Sequence, residues 1–363
     1  MKCTQILLAL AFAGSSIAAG QARTDIGTIN GAQFRIDIPA NWNHGLVVYC
    51  HGYSTTPVIF NDEKLPPPLA VFTGQGYALA ESAYESTGWA VHEAVLDTEA
   101  LRRYFDTKYG KPKETYITGH SMGGFLTMML MERFPTAYDG GLALCGPLAP
   151  AAYLMQGVFD TRVVFDYYFP GVLPSPDHVP SDFADTPALA QKIQALLDAA
   201  PQKAEILRRS TSIANNKDLA GGIVFCTYIL KDFQERGGGN PFDNRNTIYE
   251  APGGDQNALN DGVKRYTADP RAAEYVRAWY TPTGKLFHPM LAIHTTYDPV
   301  VPPHIPAMYT LLTEAAGSGS LFVQQYVKHD GHCAILPNEI ARGFEELQAW
   351  TTNGTKPPSG LNQ

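Results

Sequence analysis

The sequence predicts an α/β fold in which a mostly parallel central sheet is flanked by helices. Short apolar runs of strand length alternate along the chain with stretches whose apolar residues recur at helical spacing. Several of the short runs are apolar at every position, which is typical of parallel strands covered by helices on both faces. The alternation stops between Cys145 and Met290, where helical stretches follow one another. We therefore expect a core formed by residues 23–146 and 288–363, with a mainly helical insertion over 147–287.

The strands of this core are predicted in order from its start. Phe34–Ile38 alternates apolar and polar residues, which predicts a strand with one exposed face. Leu46–Cys50 is apolar throughout, which predicts a strand that is buried on both faces. Further strands are predicted over Tyr77–Ala80, Glu114–Thr118, Gly141–Cys145, Met290–His294 and Leu321–Tyr326. Helices separate most of these strands, so we expect them to pair in parallel.

The helices fall between the strands and throughout the insertion. Trp89–Tyr109 has helical apolar spacing, and Gly110 follows as a stop signal. Core helices are also predicted over Phe125–Phe134, Ile305–Ala316 and Asn338–Trp350, and insertion helices over Ala188–Leu197, Gln202–Arg209, Leu219–Phe233 and Ala272–Tyr280. The insertion is rich in aromatic residues, which either line an apolar cavity or form the insertion's own core.

Composition and charge exclude several classes of protein. The chain has 363 residues, of which 45% are hydrophobic and 17% are charged, a globular rather than a disordered composition. The net charge is −8 and no basic run occurs, which argues against nucleic acid or an anionic membrane surface as the main partner. No stretch is apolar for long enough to predict a membrane span.

Residues 1–22 have the layout of a secretory signal peptide. Lys2 supplies a positive start, Ile6–Ala13 is a compact apolar run, and small residues follow up to Ala22. The alternative is an ordinary buried N-terminal helix. A signal peptide predicts a secreted or periplasmic protein.

Four cysteines lie outside this leader: Cys50, Cys145, Cys226 and Cys333. They show no C-x-x-C spacing and no cluster with histidine, so a zinc site is not expected. An oxidising compartment permits disulfides among them in any of three connectivities, whereas a chain of this length can also keep buried free cysteines. The pairing stays open at this point.

The strongest chemical signal is the sequence Gly119-His120-Ser121-Met122-Gly123-Gly124. It fits the pattern G-x-S-x-G between a predicted strand and a predicted helix. A serine in that turn is exposed above the edge of the sheet, and the flanking glycines let the backbone approach its neighbours closely. Ser121 is therefore the candidate nucleophile, and an ordinary structural turn is the alternative.

A serine nucleophile needs a base and a carboxylate that orients the base. Asp298 follows the predicted strand Met290–His294 and is the candidate acid, although an aspartate before proline also forms turns. His332 follows the last predicted strand and is the candidate base. His329 is its rival but lies closer to the strand, and Asp330 is too near His332 to align its ring. The order Ser, Asp, His agrees with that of G-x-S-x-G enzymes.

Acyl transfer also requires two N–H groups that face the developing oxyanion. We expect one from Met122, the residue after the nucleophile, and one from Tyr53, which follows the turn at His51-Gly52. Each such donor lowers the barrier by about 3 kcal/mol. His51 itself is expected to fix the loop by hydrogen bonds rather than to act in catalysis.

The chain resembles the α/β-hydrolase superfamily, specifically secreted bacterial serine hydrolases with a helical insertion. The resemblance rests on His51-Gly52, on Gly119–Gly124, on Asp298–Pro302 and on Gly331-His332. It implies an α/β-hydrolase fold, an inserted helical cap over the active site, and hydrolysis through an acyl-enzyme without a metal or organic cofactor. Tannase-like relatives pair a cysteine before the serine with one after the histidine. Here Cys333 follows the histidine but residue 120 is His, so that pairing is not available.

These observations predict a secreted serine hydrolase that cleaves small-molecule or polymer carboxylic esters. The alternative is a serine peptidase or aminopeptidase of the capped type, which would need acidic insertion residues such as Asp160, Asp166 or Asp255 to hold a substrate amine. A binding protein without catalysis on the same scaffold is a third possibility. A labelled fluorophosphonate distinguishes it, because only an activated serine reacts.

Overall fold

The computed structural model describes residues 21–278 and 281–361. Residues 1–20 of the predicted signal peptide lie outside the described residues, as do Trp279 and Tyr280 at the end of the predicted helix Ala272–Tyr280. Within the described ranges the chain forms one nine-stranded sheet with helices on both faces. This confirms the predicted α/β fold with a mostly parallel sheet.

The strands are β1 Arg23–Ile29, β2 Ala32–Ile38, β3 Leu46–Cys50, β4 Ala78–Ser82, β5 Thr115–His120, β6 Gly140–Leu144, β7 Met290–Tyr297, β8 Phe322–Asp330 and β9 Gly360–Leu361. Their order across the sheet is β1-β2-β4-β3-β5-β6-β7-β8-β9. The pairs β1–β2 and β2–β4 are antiparallel, and every other pair is parallel. The carboxyl ends of β3, β5, β6, β7 and β8 therefore share one edge of the sheet, where open α/β folds place their sites.

The prediction that Phe34–Ile38 has one exposed face is wrong. In β2 both polar residues of this run, Arg35 and Asp37, are buried. Apolar and polar residues do alternate in this strand, but the two polar side chains form an ion pair at 2.7 Å. Arg35 Nη1 also donates to the carbonyl of Asn61 in a loop that covers the strand. A satisfied ion pair allows charged residues to be buried where the pattern alone indicates solvent.

The helices are α1 Pro67–Gly74, α2 Val91–Tyr109, α3 Met122–Arg133, α4 Ala151–Tyr168, α5 Pro187–Ala199, α6 Pro201–Thr211, α7 Asn216–Gly237, α8 Gln256–Gly262, α9 Pro270–Ala278, α10 His304–Ala315 and α11 Pro337–Asn353, with a short 3₁₀ turn at Gly319–Leu321. Val48 and Ile117 on one face of the sheet share a core with α2 and α3. Val47 and Leu142 on the other face share a core with α1 and α11. No helix of the described residues combines the length and the apolar character that a membrane crossing requires.

Helices α4 to α9 all fall between β6 and β7, in the predicted insertion. Several of its aromatic residues pack on one another; the Phe159 ring, for example, stacks on Phe242 with centroids 5.2 Å apart. The long helix α7 joins this segment to the core. Trp89 lies between α3 and α7, with its ring 5.4 Å from Phe125 and 5.9 Å from Phe233. The boundaries and the covering role of the insertion stay predictions.

Candidate active site

Ser121 lies in the tight turn between β5 and α3. Its backbone has φ 56° and ψ −120°, a conformation that a non-glycine residue adopts only under strain. The turn can pack against the end of β3 because its glycines have no side chain. A Cβ on Gly119 would lie 2.5 Å from the carbonyl oxygen of Cys50, and a Cβ on Gly123 would lie 1.9 Å from the same oxygen. The end of β3 therefore packs directly on the turn, and the serine is held at the sheet edge.

Three predicted residues meet at this edge in one hydrogen-bonded chain. Ser121 Oγ lies 2.8 Å from His332 Nε2, and His332 Nδ1 lies 2.8 Å from Asp298 Oδ2. A carboxylate only accepts hydrogen bonds, so Nδ1 carries the proton and Nε2 is free to accept from the serine. The residues come from the ends of β5, β7 and β8, and parallel pairing brings these ends together.

Asp298 is held as an acceptor on both oxygens. It is 1% exposed, and Oδ1 accepts the N–H groups of Val300 and Val301, each at 2.9 Å. Burial opposes ionisation, but the hydrogen bond and charge of His332 and the two N–H groups outweigh it, so the pKa of Asp298 lies below its ordinary value. The carboxylate is thus ionised and oriented at neutral pH.

Two further histidines lie beside the hydrogen-bonded series of Ser121, His332 and Asp298. The sequence analysis identified neither of them as part of the site. His294 Nε2 donates to the carbonyl of Val301 at 2.8 Å and lies 3.5 Å from Asp298 Oδ2. His120 Nδ1 accepts from the hydroxyl of Tyr49 at 3.1 Å. Burial, together with the charge of His332, lowers the pKa of His120 to about 4. His120 is therefore neutral beside the serine. Its place inside the G-x-S-x-G pattern was the available signal.

The two rival residues, His329 and Asp330, lie at the end of β8. His329 Nε2 donates to Glu339 Oε1 at 3.0 Å, away from the serine. Asp330 is exposed at the end of β8. His332, and not His329, is the histidine within hydrogen-bond distance of Ser121 Oγ.

The turn after β3 lies against the nucleophile. A Cβ on Gly52 would lie 3.3 Å from Ser121 Cβ. Neither the Tyr53 N–H nor the Met122 N–H is bonded to another of the residues that the structure describes. The ring nitrogens of His51 lie 2.7 Å and 3.2 Å from the carbonyl oxygens of Gly52 and Ala83, contacts that fix this loop. The turn that precedes Tyr53 thus lies close to Ser121, and Met122 follows Ser121 directly. The oxyanion role of the two N–H groups stays a prediction.

A disulfide joins Cys145 to Cys333, which settles the pairing that the sequence left open. Cys145 follows β6, and Cys333 follows His332 directly. Both residues have positive φ, 47° and 56°, as tight turns at the strand ends require. Cys50 and Cys226 are free thiols. In the sheet, β7 lies between β6 and β8. The disulfide therefore spans the end of β7 and joins the loop after β8, which carries His332, to the end of β6.

Two of the three acidic insertion residues, Asp160 and Asp255, make hydrogen bonds within the insertion. Asp160 accepts from Gln156 Nε2 at 3.1 Å and from the Tyr249 hydroxyl at 2.8 Å. Asp255 accepts the Ala258 N–H and caps α8. Burial raises the pKa of Asp166 in spite of the charge of Arg162. These contacts give no specific support for a site that binds a substrate amine.

Metal ligands were not expected here. Over residues 21–278 and 281–361, His, Cys, Asp and Glu side chains form no group of three or more that could hold a metal ion.

Comparison with known proteins places the fold in a class. No family model and no curated protein matches the sequence. Among solved structures, the chain is similar to a candidate dipeptidyl aminopeptidase IV from Bacteroides ovatus, with a TM-score of 0.51 and 12% identity over 92% of this chain and 36% of that chain.

Two other solved structures are less similar. The acylaminoacyl peptidase of Pyrococcus horikoshii has a TM-score of 0.46 and 11% identity, over 92% of this chain and 42% of that chain. Feruloyl esterase B of Aspergillus oryzae has a TM-score of 0.49 and 13% identity, over 91% of this chain and 80% of that chain. The chain thus spans less than half the length of either peptidase. At 12% identity the likeness to the Bacteroides ovatus structure concerns the fold alone, the mostly parallel sheet flanked by helices that the sequence predicts.

Proposed function

We propose that this protein is a serine hydrolase that cleaves carboxylic esters through an acyl-enzyme intermediate. The observation that carries the proposal is the hydrogen-bonded chain from Ser121 through His332 to Asp298, with 2.8 Å at both steps. A serine in a strained turn, a histidine with its accepting nitrogen toward that serine, and a buried carboxylate on the other nitrogen are the parts of an activated nucleophile.

In this mechanism Ser121 Oγ attacks the acyl carbonyl while its proton passes to His332 Nε2. Asp298 holds the imidazole and offsets its positive charge. The N–H groups of Tyr53 and Met122 donate to the oxyanion of the tetrahedral intermediate. His332 then gives its proton to the departing alkoxide, which leaves as the alcohol. A water molecule repeats the sequence on the acyl group, releases the acid and restores the serine hydroxyl.

Two further proposals concern the whole chain. We propose that residues 147–287 cap the active site, and that residues 1–22 direct export to the periplasm or the medium. Mass spectrometry of the protein isolated from the periplasm or the culture medium is expected to give an N-terminus at Arg23 or a few residues before it. An intact Met1 on protein retained in the cytoplasm contradicts the export proposal.

The enzymatic proposal is tested with two substrates that share one acyl group, a nitrophenyl ester and an amino-acyl nitroanilide, each with Ser121→Ala as control. Cleavage of the ester alone, lost in the variant, is the expected result. Dominant cleavage of the anilide indicates a serine peptidase instead. Activity on neither substrate, with no labelling by a fluorophosphonate, refutes the serine hydrolase.

A further inference from the structure

Helix α7 contacts the loops of the candidate active site near both of its ends, each time through a tyrosine hydroxyl. Tyr53 donates to Asp232 Oδ2 at 3.2 Å, and Tyr297 donates to Asp218 Oδ2 at 2.8 Å. Both tyrosines lie outside the insertion, and both aspartates lie on α7. Each tyrosine adjoins a group that the proposed mechanism uses.

Near the C-terminal end of α7, the carboxylate of Asp232 accepts hydrogen bonds from three parts of the chain. Asp232 Oδ2 also accepts the N–H of Trp89 at 2.7 Å, and Oδ1 accepts from Arg236 Nε at 2.8 Å. Gly88 makes room for the carboxylate, because a Cβ there would lie 2.6 Å from Asp232 Oδ2. The Asp232 side chain is 13% exposed, so these bonds are largely shielded from water. The loop that carries the Tyr53 N–H is therefore anchored to α7.

At the other end, Tyr297 directly precedes Asp298. Its hydroxyl also accepts the N–H of Ala214 at 3.0 Å, so the ring is fixed from two sides. The carbonyl of Tyr297 accepts the N–H of Gly331 at 2.9 Å, and Gly331 directly precedes His332. Anchoring Tyr297 thus holds the backbone on both sides of the acid–base pair.

The two aspartates that accept from the tyrosines are held at a fixed separation by helix α7. Asp218 and Asp232 lie on one helix, and at 1.5 Å per residue they are separated by about 21 Å along its axis. The helix packs on α4, α5 and α9 and holds Phe233 against Trp89. A rigid element anchored at two loops fixes the distance between them.

We propose that α7 positions the catalytic groups, with Asp232 acting through Tyr53 on the oxyanion loop and Asp218 acting through Tyr297 on the acid–base pair. This rests on the proposed function. Asp232 and Asp218 are positioning residues, because neither touches the reacting atoms. The insertion is then part of the catalytic apparatus as well as a cover.

The test uses Tyr53→Phe and Tyr297→Phe, which remove one hydroxyl each and keep every backbone N–H. The matched control is Tyr249→Phe, which removes a tyrosine–aspartate bond of 2.8 Å inside the insertion. All three are assayed on the nitrophenyl ester for kcat, KM and pH profile, with the thermal midpoint measured alongside. We expect kcat to fall about ten-fold in each test variant, with KM little changed. We expect the control to lose thermal stability only.

The two test variants differ in a way that a merely structural role does not produce. Tyr297→Phe is expected to move the acidic limb of the pH profile, because it loosens the acid–base pair, whereas Tyr53→Phe lowers kcat at every pH. If a test variant does not fold, Asp232→Asn or Asp218→Asn replaces it with the same expected kcat loss. Test variants that keep the wild-type kcat, as the control does, overturn the inference. A wild type that neither cleaves the ester nor reacts with a fluorophosphonate overturns the proposed function itself.

Discussion

Loss of the Cys145–Cys333 disulfide is expected to weaken both the fold and the reaction. The perturbation is the double variant Cys145→Ala/Cys333→Ala, or reduction by dithiothreitol, which supplies two electrons and two protons to give two thiols and is itself oxidised to a cyclic disulfide. The two cysteines are 188 residues apart in sequence. Closing a loop of that length in the unfolded chain corresponds to about 5 kcal/mol in the chain-entropy model. Because denatured chains keep some structure, a measured loss of about 2 to 5 kcal/mol is expected.

The catalytic effect follows from the position of Cys333 beside His332. Without the disulfide the loop that carries His332 loses a covalent constraint, and a misplacement of the imidazole by about 1 Å costs about 100-fold in rate. We expect kcat for the nitrophenyl ester to fall between about 10- and 100-fold. Denaturant unfolding gives the stability, and the ester assay below the unfolding transition gives kcat. Cys226→Ala, which removes a free thiol, is the control. Wild-type stability and kcat in the double variant refute the reasoning.

Three other outcomes are expected. His332→Ala lowers kcat by about 10³-fold or more, whereas His329→Ala leaves it unchanged, and equal losses in an ester assay contradict the choice of base. Gly123→Ala places a Cβ 1.9 Å from the Cys50 carbonyl, so we expect a loss of about 3 kcal/mol or more in denaturant unfolding, and near-native stability shows that the turn can relax. Burial raises the pKa of Glu81 to about 8, so the folded state holds a proton that the unfolded state releases, and stability falls as pH rises from the ordinary value of that group to about 8. Glu81→Gln removes this loss, and identical pH–stability curves for variant and wild type rule it out.

The candidate site was predictable because each of its residues follows a locally recognisable strand. Ser121 stands in a motif between a strand and a helix, and Asp298 and His332 each follow an apolar run. A parallel sheet brings the carboxyl ends of its strands to one edge, so short-range patterns were sufficient to assemble the three residues. His294 was not identified because it lies at the end of the apolar run Met290–His294, where it resembles a core residue.

Contacts between distant parts of the sequence could not be predicted in the same way. Tyr53 and Asp232 are 179 residues apart, and no local pattern relates a tyrosine in a loop to an aspartate on a helix of the insertion. The disulfide connectivity is of the same kind. Helix α4 was missed because its apolar residues occur all around the helix and give no single stripe, and β9 because it has only two residues.

The disulfide also has a topological consequence. The ring that it closes begins where β6 ends, contains the whole insertion and Asp298, and returns directly after His332. A protease that cuts one exposed loop of the insertion therefore produces two fragments that remain covalently joined, as one band on a gel without reductant and two bands with it.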